Sequence, residues 1–255
     1  MSTTLATRPL SVHRDLARAL DPVELAKDLS LDLDPWQADA VRSRAARSLW
    51  NCSRQSGKTT TASVLALHVG IYDPGLILLI TPSDRQSKEV LHTIEGFWRE
   101  LDGAPEANVE ARLRLELRNG SRILALPDSA RTVRGYARPK LILVDEAARV
   151  KQETITAIRP MLIAGKSRII ALSTPWTELG WFFEAWTGDE AYEKFAINAD
   201  QCPRIDRDEL EHQRREMPPI DFRREYYCEF SPIENAMFDD ATINAAISEE
   251  IQPLW

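Results

Sequence analysis

The chain has 255 residues, of which 44% are apolar and 28% charged. That is the balance of a soluble globular protein with a full core, not of a collagen-like, mucin-like or wholly disordered chain. Its net charge of −7 offers no overall attraction to nucleic acid or anionic lipid, so a DNA-binding role needs a local basic face or several copies of the chain. Three cysteines far apart in sequence (Cys52, Cys202, Cys228) and four scattered histidines argue against a disulfide framework and a zinc site. No apolar run is long enough for a membrane span, and Met1 to Asp15 lacks a signal-peptide core.

Residues 1–20 show no clear periodicity and read as an N-terminal arm. Asp21-Pro22-Val23-Glu24 opens a helix, with Asp as N-cap, Pro at the first position and Glu at the third. A second short helix is expected from Pro35-Trp36-Gln37 through Arg47, then a strand over Leu49–Cys52 and a helix from Thr59 to Val69. Leu76–Ile80, Leu141–Val144 and Arg168–Leu172 are solid apolar runs, the pattern of strands buried on both faces. Between them, Ser83 with Gln86 predicts a capping box opening a helix that buries Val90, Leu91, Ile94, Phe97, Trp98 and Leu101. Leu113, Leu115 and Leu117 alternate ahead of Asn119-Gly120 and Ile123–Leu126, a hairpin signal. Amphipathic helices are expected over Ile155–Ile163 and Leu179–Trp186, a last strand over Lys194–Ile197, and charged helices from Asp206 onward. Strands alternating with helices predict an α/β domain with a mostly parallel sheet, whose ligands bind where the C-terminal strand ends open into loops.

Three polar clusters fall at that end. Gly57-Lys58-Thr59 joins an apolar strand to a helix. Phosphate binding needs converging backbone N–H groups, a cation over the β and γ phosphates and a hydroxyl on Mg2+, which the loop, Lys58 and Thr59 would supply. The full motif begins with Gly where this chain has Cys52. Asp145-Glu146 closes the second buried strand, Asp145 suited to holding Mg2+ and Glu146 to polarising an attacking water. Ser173-Thr174-Pro175 closes the third, with hydroxyls able to sense the γ-phosphate or simply to cap a turn. Gln37 either reads an adenine edge or is an ordinary helix residue. Arg131, Arg134 and Arg138 precede the carboxylate strand, where each is either an arginine finger or a solvated surface residue and only position chooses.

The order of these motifs resembles the ATPase part of the large terminase subunit, the motor that packages double-stranded DNA into tailed-phage and herpesvirus capsids. Pro35-Trp36-Gln37 is similar to its adenine motif, and Ser53-Arg54-Gln55-Ser56-Gly57-Lys58-Thr59-Thr60 to its deviant phosphate loop. Val133-Arg134-Gly135 is similar to its Arg-Gly element, and Leu143–Ala147 to its metal and base strand. Ser173-Thr174-Pro175-Trp176 with Gly180, Phe182 and Trp186 resembles its coupling motif and trailing helix, and Phe222–Phe230 the segment closing the domain. The likeness spans about residues 30–232.

The resemblance implies an ASCE-type P-loop ATPase over residues 21–232, with a small helical lid built from the N-terminal and last helices. It implies ATP and Mg2+ as cofactors, with Thr59 and Asp145 on the metal and Gln37, Ser53–Thr60, Ser173 and Thr174 around the nucleotide. Glu146, Lys58 and a finger at Arg134 or Arg54 would be catalytic. It also implies a homo-oligomeric ring of five, monomeric in isolation, working with DNA, a portal protein and a small terminase subunit in the host cytoplasm. The family's nuclease domain would follow; residues 233–255 read as the linker toward it, with Ala236–Asp240 at its start, and this chain is expected not to cut DNA. Rival readings are another ASCE translocase or helicase, or a nucleotide-dependent assembly module with little turnover.

Overall fold

The structure is a computed structural model that describes residues 11–165, 167–188 and 192–232. The expected linker and the first ten residues of the expected arm lie outside the described residues. The strands are β1 (Arg47–Cys52), β2 (Leu76–Thr81), β3 (Ala107–Ala111), β4 (Arg114–Leu117), β5 (Arg122–Pro127), β6 (Leu141–Asp145), β7 (Arg168–Ser173) and β8 (Glu193–Ile197). They form one sheet in the order β3-β4-β5-β2-β6-β7-β1-β8. Neighbours from β5 to β8 run parallel, and only the β3–β4–β5 meander is antiparallel.

The apolar runs form these strands because both faces of the sheet are covered. Ile77 and Leu79 enter one core and Leu78 and Ile80 the other; Leu141 and Leu143 likewise alternate with Ile142 and Val144. One face is covered by α2 (Pro22–Asp28), α3 (Pro35–Arg42), α4 (Lys58–Tyr72), α5 (Asp84–Glu100), α9 (Arg207–Glu216) and α10 (Pro219–Tyr227). The other carries α6 (Ala130–Val133), α7 (Gln152–Gly165) and α8 (Trp181–Thr187). The helices expected to make a lid, α2, α3, α9 and α10, therefore bury Val23, Ala40, Leu210 and Phe222 in the same core as α4 and α5.

Three expectations need correction. The helix from Pro35 stops at Arg42 rather than Arg47, because Ser43 turns to extended backbone and Arg47 is already paired with Ile169 as the first residue of β1. The Asn119-Gly120 hairpin forms between β4 and β5, with Gly120 as its left-handed residue (φ +93°), but a polar edge strand, β3, continues the meander beyond the expected one. Residues 12–20 of the expected N-terminal arm, read as lacking clear periodicity, form helix α1 (Val12–Leu20). Its apolar stripe, Val12, Leu16 and Leu20, faces outward, while its buried residue is Arg18, only 1% exposed. The spacing of that stripe is helical, but the helix buries its arginine and exposes its leucines, so the pattern gives the wrong inward face.

Arg18 is stabilised by an ion pair with Asp28 at the end of α2 and by donating to the Asp102 carbonyl at 2.7 Å. Arg14 adds a second bond to Asp28 at 2.6 Å. Burial pushes the Asp28 carboxyl up, and the hydrogen bonds from Arg14 and Arg18 outweigh it, holding it below its ordinary value. Asp28→Asn leaves a buried guanidinium without its counter-charge and is expected to lower the unfolding free energy by about 3 kcal/mol at neutral pH. Because the folded-state pKa is depressed, this contribution is complete above the unfolded value of about 4 and fades as pH falls through the lower folded value. Urea unfolding of parent and variant across that range should show a gap at pH 7 that closes in acid; a gap constant with pH would refute the assignment.

Candidate nucleotide site

The site starts where β1 ends. Ser53 N–H donates to the Ile197 carbonyl at 2.8 Å, and the chain then loops through Arg54 to Gly57 before α4 begins at Lys58. Gln55 (φ +58°) and Gly57 (φ +83°) both take left-handed backbone. The first turn of α4 thus presents unpaired N–H groups and the positive end of a 15-residue helix to the loop. Gly57 is favoured by its backbone, and a side chain there would also displace Gln37: a Cβ would sit 2.5 Å from Gln37 Nε2 and 3.3 Å from Arg204 Nη2.

The loop is anchored from both sides. Gln37 is buried; its Oε1 accepts from the Asp34 N–H at 2.8 Å and its Nε2 donates to the Ser56 carbonyl at 3.1 Å, tying α3 to the loop. On the other flank Arg54 N–H donates to the Glu225 carbonyl at 2.8 Å and Arg54 Nε to the Glu225 carboxylate at 2.7 Å, tying the loop to α10. Ser53 Oγ lies 3.8 Å from Cys202 Sγ, and Cys228 Sγ donates to the carbonyl of Ile197, the residue opposite Cys52. The three cysteines, remote in sequence, therefore gather below the loop as free thiols, all pushed up by burial.

The sheet order brings the remaining clusters to the loop. β7 lies between β1 and β6, so the residue after β7 stands between the phosphate-type loop and the paired carboxylates. Lys58 Nζ donates to Thr174 Oγ1 at 3.1 Å and lies 3.5 Å from Glu146 Oε1. Thr59 Oγ1 donates to Asp145 Oδ2 at 3.1 Å. Glu146 carries left-handed backbone (φ +49°), rare for a side chain of its size and found where a fold fixes a functional group against local preference. Ser173 Oγ accepts from Ala148 N–H at 3.2 Å and donates to the Thr174 carbonyl at 2.6 Å, bracing the turn after Glu146 against the end of β7. Burial and the charge of Glu146 push the Asp145 acid up to about 6. A carboxylate so placed, beside a hydroxyl, is under-neutralised and suits a hard cation.

Other expected site residues stand apart. Thr60 is half-buried on the first turn of α4. Arg134 caps α6 with an exposed guanidinium that has no hydrogen bond or ion pair among the described residues. Arg131 and Arg138 are exposed as well, Arg138 with left-handed backbone. Sequence reasoning misses Arg204, held beside Gly57 by Asp34 at 2.7 Å, because nothing local distinguishes it from a surface arginine. It also passes over Glu225, although that residue lies within the segment Phe222–Phe230 singled out above.

A loop between β1 and α4 with Lys58 and Thr59 at its end, a carboxylate pair on β6 and an intervening β7 define a P-loop NTPase of the ASCE class. A family profile described as "Terminase large subunit, T4likevirus-type, N-terminal" matches residues 49–244, well over half the chain. The chain belongs to that family and is the ATPase-domain part of a viral DNA-packaging motor subunit. Among solved structures it resembles the large terminase ATPase domain of Thermus phage P74-26 at 25% identity and a TM-score of 0.68, over 80% of this chain and 96% of that one. It shares the fold of the bacteriophage HK97 large terminase at 17% identity and a TM-score of 0.63, over 78% of this chain and 51% of that one. The large terminase of a thermophilic bacteriophage in complex with ADP matches at 8% identity and a TM-score of 0.63, over 78% and 54%. Against these last two the chain spans about half the solved protein. No helix among the described residues is long and apolar enough to cross a membrane.

Gly57→Ala combines left-handed strain of about 1–3 kcal/mol with the collision against Gln37. It is expected to weaken binding of a fluorescent ATP analogue at least about tenfold, the scale of one misplaced contact in such a loop. Thermal melting should show the variant less stable than the parent by the cost of that strain. An unchanged affinity and melting temperature would refute the need for glycine at this position.

Proposed function

We propose that the chain binds Mg2+-ATP on the loop Ser53–Gly57 and the first turn of α4, hydrolyses it to ADP and phosphate, and uses the cycle to drive double-stranded DNA into a procapsid. The meeting of Lys58, Thr174 and Glu146 in one cluster beside Thr59–Asp145 supports this most strongly. Lys58 would turn from Thr174 and Glu146 to the β and γ phosphates, with loop N–H groups completing the cradle. Thr59 and Asp145 fit Mg2+, two hard oxygens 3.1 Å apart, with water and phosphate oxygens left to complete its shell. Bound there, the ion would neutralise charge on the β and γ oxygens. Glu146 takes the proton of a water as the water oxygen bonds to the γ-phosphorus and the bond to the ADP oxygen breaks. Ser173 and Thr174 would read the γ-phosphate. Gln37 would read the adenine edge on releasing Asp34 or Ser56, whose bonds it now makes.

The exposed guanidinium of Arg134, unpaired among the described residues, supports a finger acting on a neighbouring subunit, in a ring of five docked on a portal protein with the small terminase subunit, in the host cytoplasm. Arg54, committed to Glu225, is better suited to holding the loop. In such a ring α2 and α3 with α9 and α10 would serve as the lid. The complete set of Lys58, Thr59, Asp145 and Glu146 favours turnover over a silent assembly module.

Lys58→Ala should abolish nucleotide binding or turnover. Glu146→Gln should keep Mg2+-ATP bound while slowing hydrolysis by about a hundredfold or more, the usual contribution of a general base. Hydrolysis near the parent rate in Glu146→Gln would overturn the base assignment. Mixing Glu146→Gln with Arg134→Ala, each inactive alone, should restore activity at mixed interfaces. No recovery at any ratio under conditions where rings assemble would move the finger elsewhere.

A further inference from the structure

We propose that Trp176 is a positioning residue that carries the state of the γ-phosphate from Thr174 to helix α10; the proposal rests on the ATPase reading above and deepens it. Trp176 follows Thr174 by two residues, across Pro175, whose fixed φ leaves little slack between them. Three separate parts of the molecule meet on it. The Arg149 guanidinium lies 4.1 Å from the indole centroid, and Arg149 belongs to the turn after Glu146, with its N–H donating to the Glu146 carbonyl at 2.8 Å. The Arg224 guanidinium, from α10, lies 4.2 Å from the same centroid. The Trp176 carbonyl accepts from Ser231 N–H at 2.9 Å, and Glu178 N–H donates to the Ser231 carbonyl at 2.9 Å, so the segment leaving α10 is stitched to the segment leaving β7.

Helix α10 is thereby connected to the nucleotide site at two places. Arg224 joins it to the end of β7 through Trp176, while the next residue, Glu225, joins it to the phosphate loop through Arg54 at 2.7 Å. Arg224 is itself fixed by Asp221 at 2.7 Å and lies 3.5 Å from Glu225. Between these attachments Lys58 links the loop side of the site to Thr174, at 3.1 Å. A γ-phosphate takes that same ammonium, so binding ATP must loosen Lys58 from Thr174 and from Glu146 together. Both freed residues sit on stretches that end at Trp176: one through Pro175, the other through the turn to Arg149. Neither route needs the sheet to move.

The surroundings of Trp176 are those of a coupling contact rather than of core packing. The ring is half-buried, and two like-charged guanidiniums converge on it. Arg149 has no ion-pair partner among the described residues to offset that repulsion. Arg224 is held by Asp221, and the aromatic face attracts both cations.

The test compares the full chain with Trp176→Ala, Trp176→Phe and Arg224→Gln, each checked for a cooperative thermal transition. Turnover, affinity for a fluorescent ATP analogue, and amide exchange in α10 with and without a non-hydrolysable ATP analogue are measured. Trp176→Ala and Arg224→Gln are expected to bind nucleotide within about threefold of the parent but to lose at least about tenfold in kcat, a split that marks loss of positioning rather than of binding. The exchange response of α10 to nucleotide, present in the parent, should vanish in both. Trp176→Phe, which keeps an aromatic face, should return kcat to within about threefold of the parent. A parental kcat in Trp176→Ala, or an α10 response that persists in it or is missing from the parent, would overturn the proposal. A parent that binds nucleotide without turning it over would instead overturn the hydrolysis reading, and the α10 response would still decide the coupling.

Discussion

The arrangement depends on one shared cation. Lys58, with only 10% of its side chain exposed, faces Thr174 at 3.1 Å and Glu146 at 3.5 Å. An ammonium taken this far from water must be matched by acceptors, and the sheet order supplies them from two different strands. Because β7 lies between β1 and β6, the lysine at the end of the first strand's loop can reach a hydroxyl and a carboxylate at once. A phosphate that displaces these partners replaces two modest contacts with a stronger one. Such an exchange is what lets a ligand bias a structure rather than merely fill it.

The fold keeps that cluster in register by bracing it from the outside. Gln37 from α3 and Glu225 from α10 grip opposite flanks of the phosphate-type loop, and Ser173 ties the end of β7 to the turn after Glu146. None of these groups needs to touch a nucleotide to matter. They fix side chains whose useful tolerance is a fraction of an ångström. The buried strands behind them, with Ile77, Leu79, Ile142 and Val144 at most 1% exposed, give the rigid base against which the loops can shift.

How much of this is legible in the sequence follows from what periodicity can report. The runs at Leu76, Leu141 and Arg168 are visible as strands because both faces are buried, and the polar clusters closing them mark the ligand end. Helix α1 has helical apolar spacing, but it buries Arg18 and exposes Leu16, so the inward face cannot be read from it; β3 is invisible because an edge strand needs no apolar face. The early end of α3 reflects a tertiary demand, the pairing of Arg47 with Ile169. Among candidate functional residues, Lys58, Thr59, Asp145, Glu146 and Thr174 are legible, since their chemistry is carried in short contiguous motifs. Arg54 is legible as a loop residue, but its partner Glu225 lies 171 positions away. Burial patterns say which face a residue takes, not whom it meets there.

Part of the backbone strain falls in the same region. Of the five non-glycine residues with left-handed backbone among those described, Gln55 lies in the phosphate-type loop and Glu146 at the end of β6, while Ser30 follows α2 and Arg138 lies ahead of β6. Cys228, the fifth, ends α10 and turns its carbonyl to accept from Asn51 Nδ2 of β1 at 3.1 Å. Such conformations cost about 1–3 kcal/mol each and persist only where neighbours over-determine them. Here those neighbours are the loop anchors, the braced turn and the β1–α10 bond themselves. At the site the strain therefore sits on three segments around Lys58 and is held by anchors that lie outside the Lys58 contacts a bound phosphate would displace. A site built this way stores conformational preference where the ligand acts and keeps the sheet, which carries the core, unstrained.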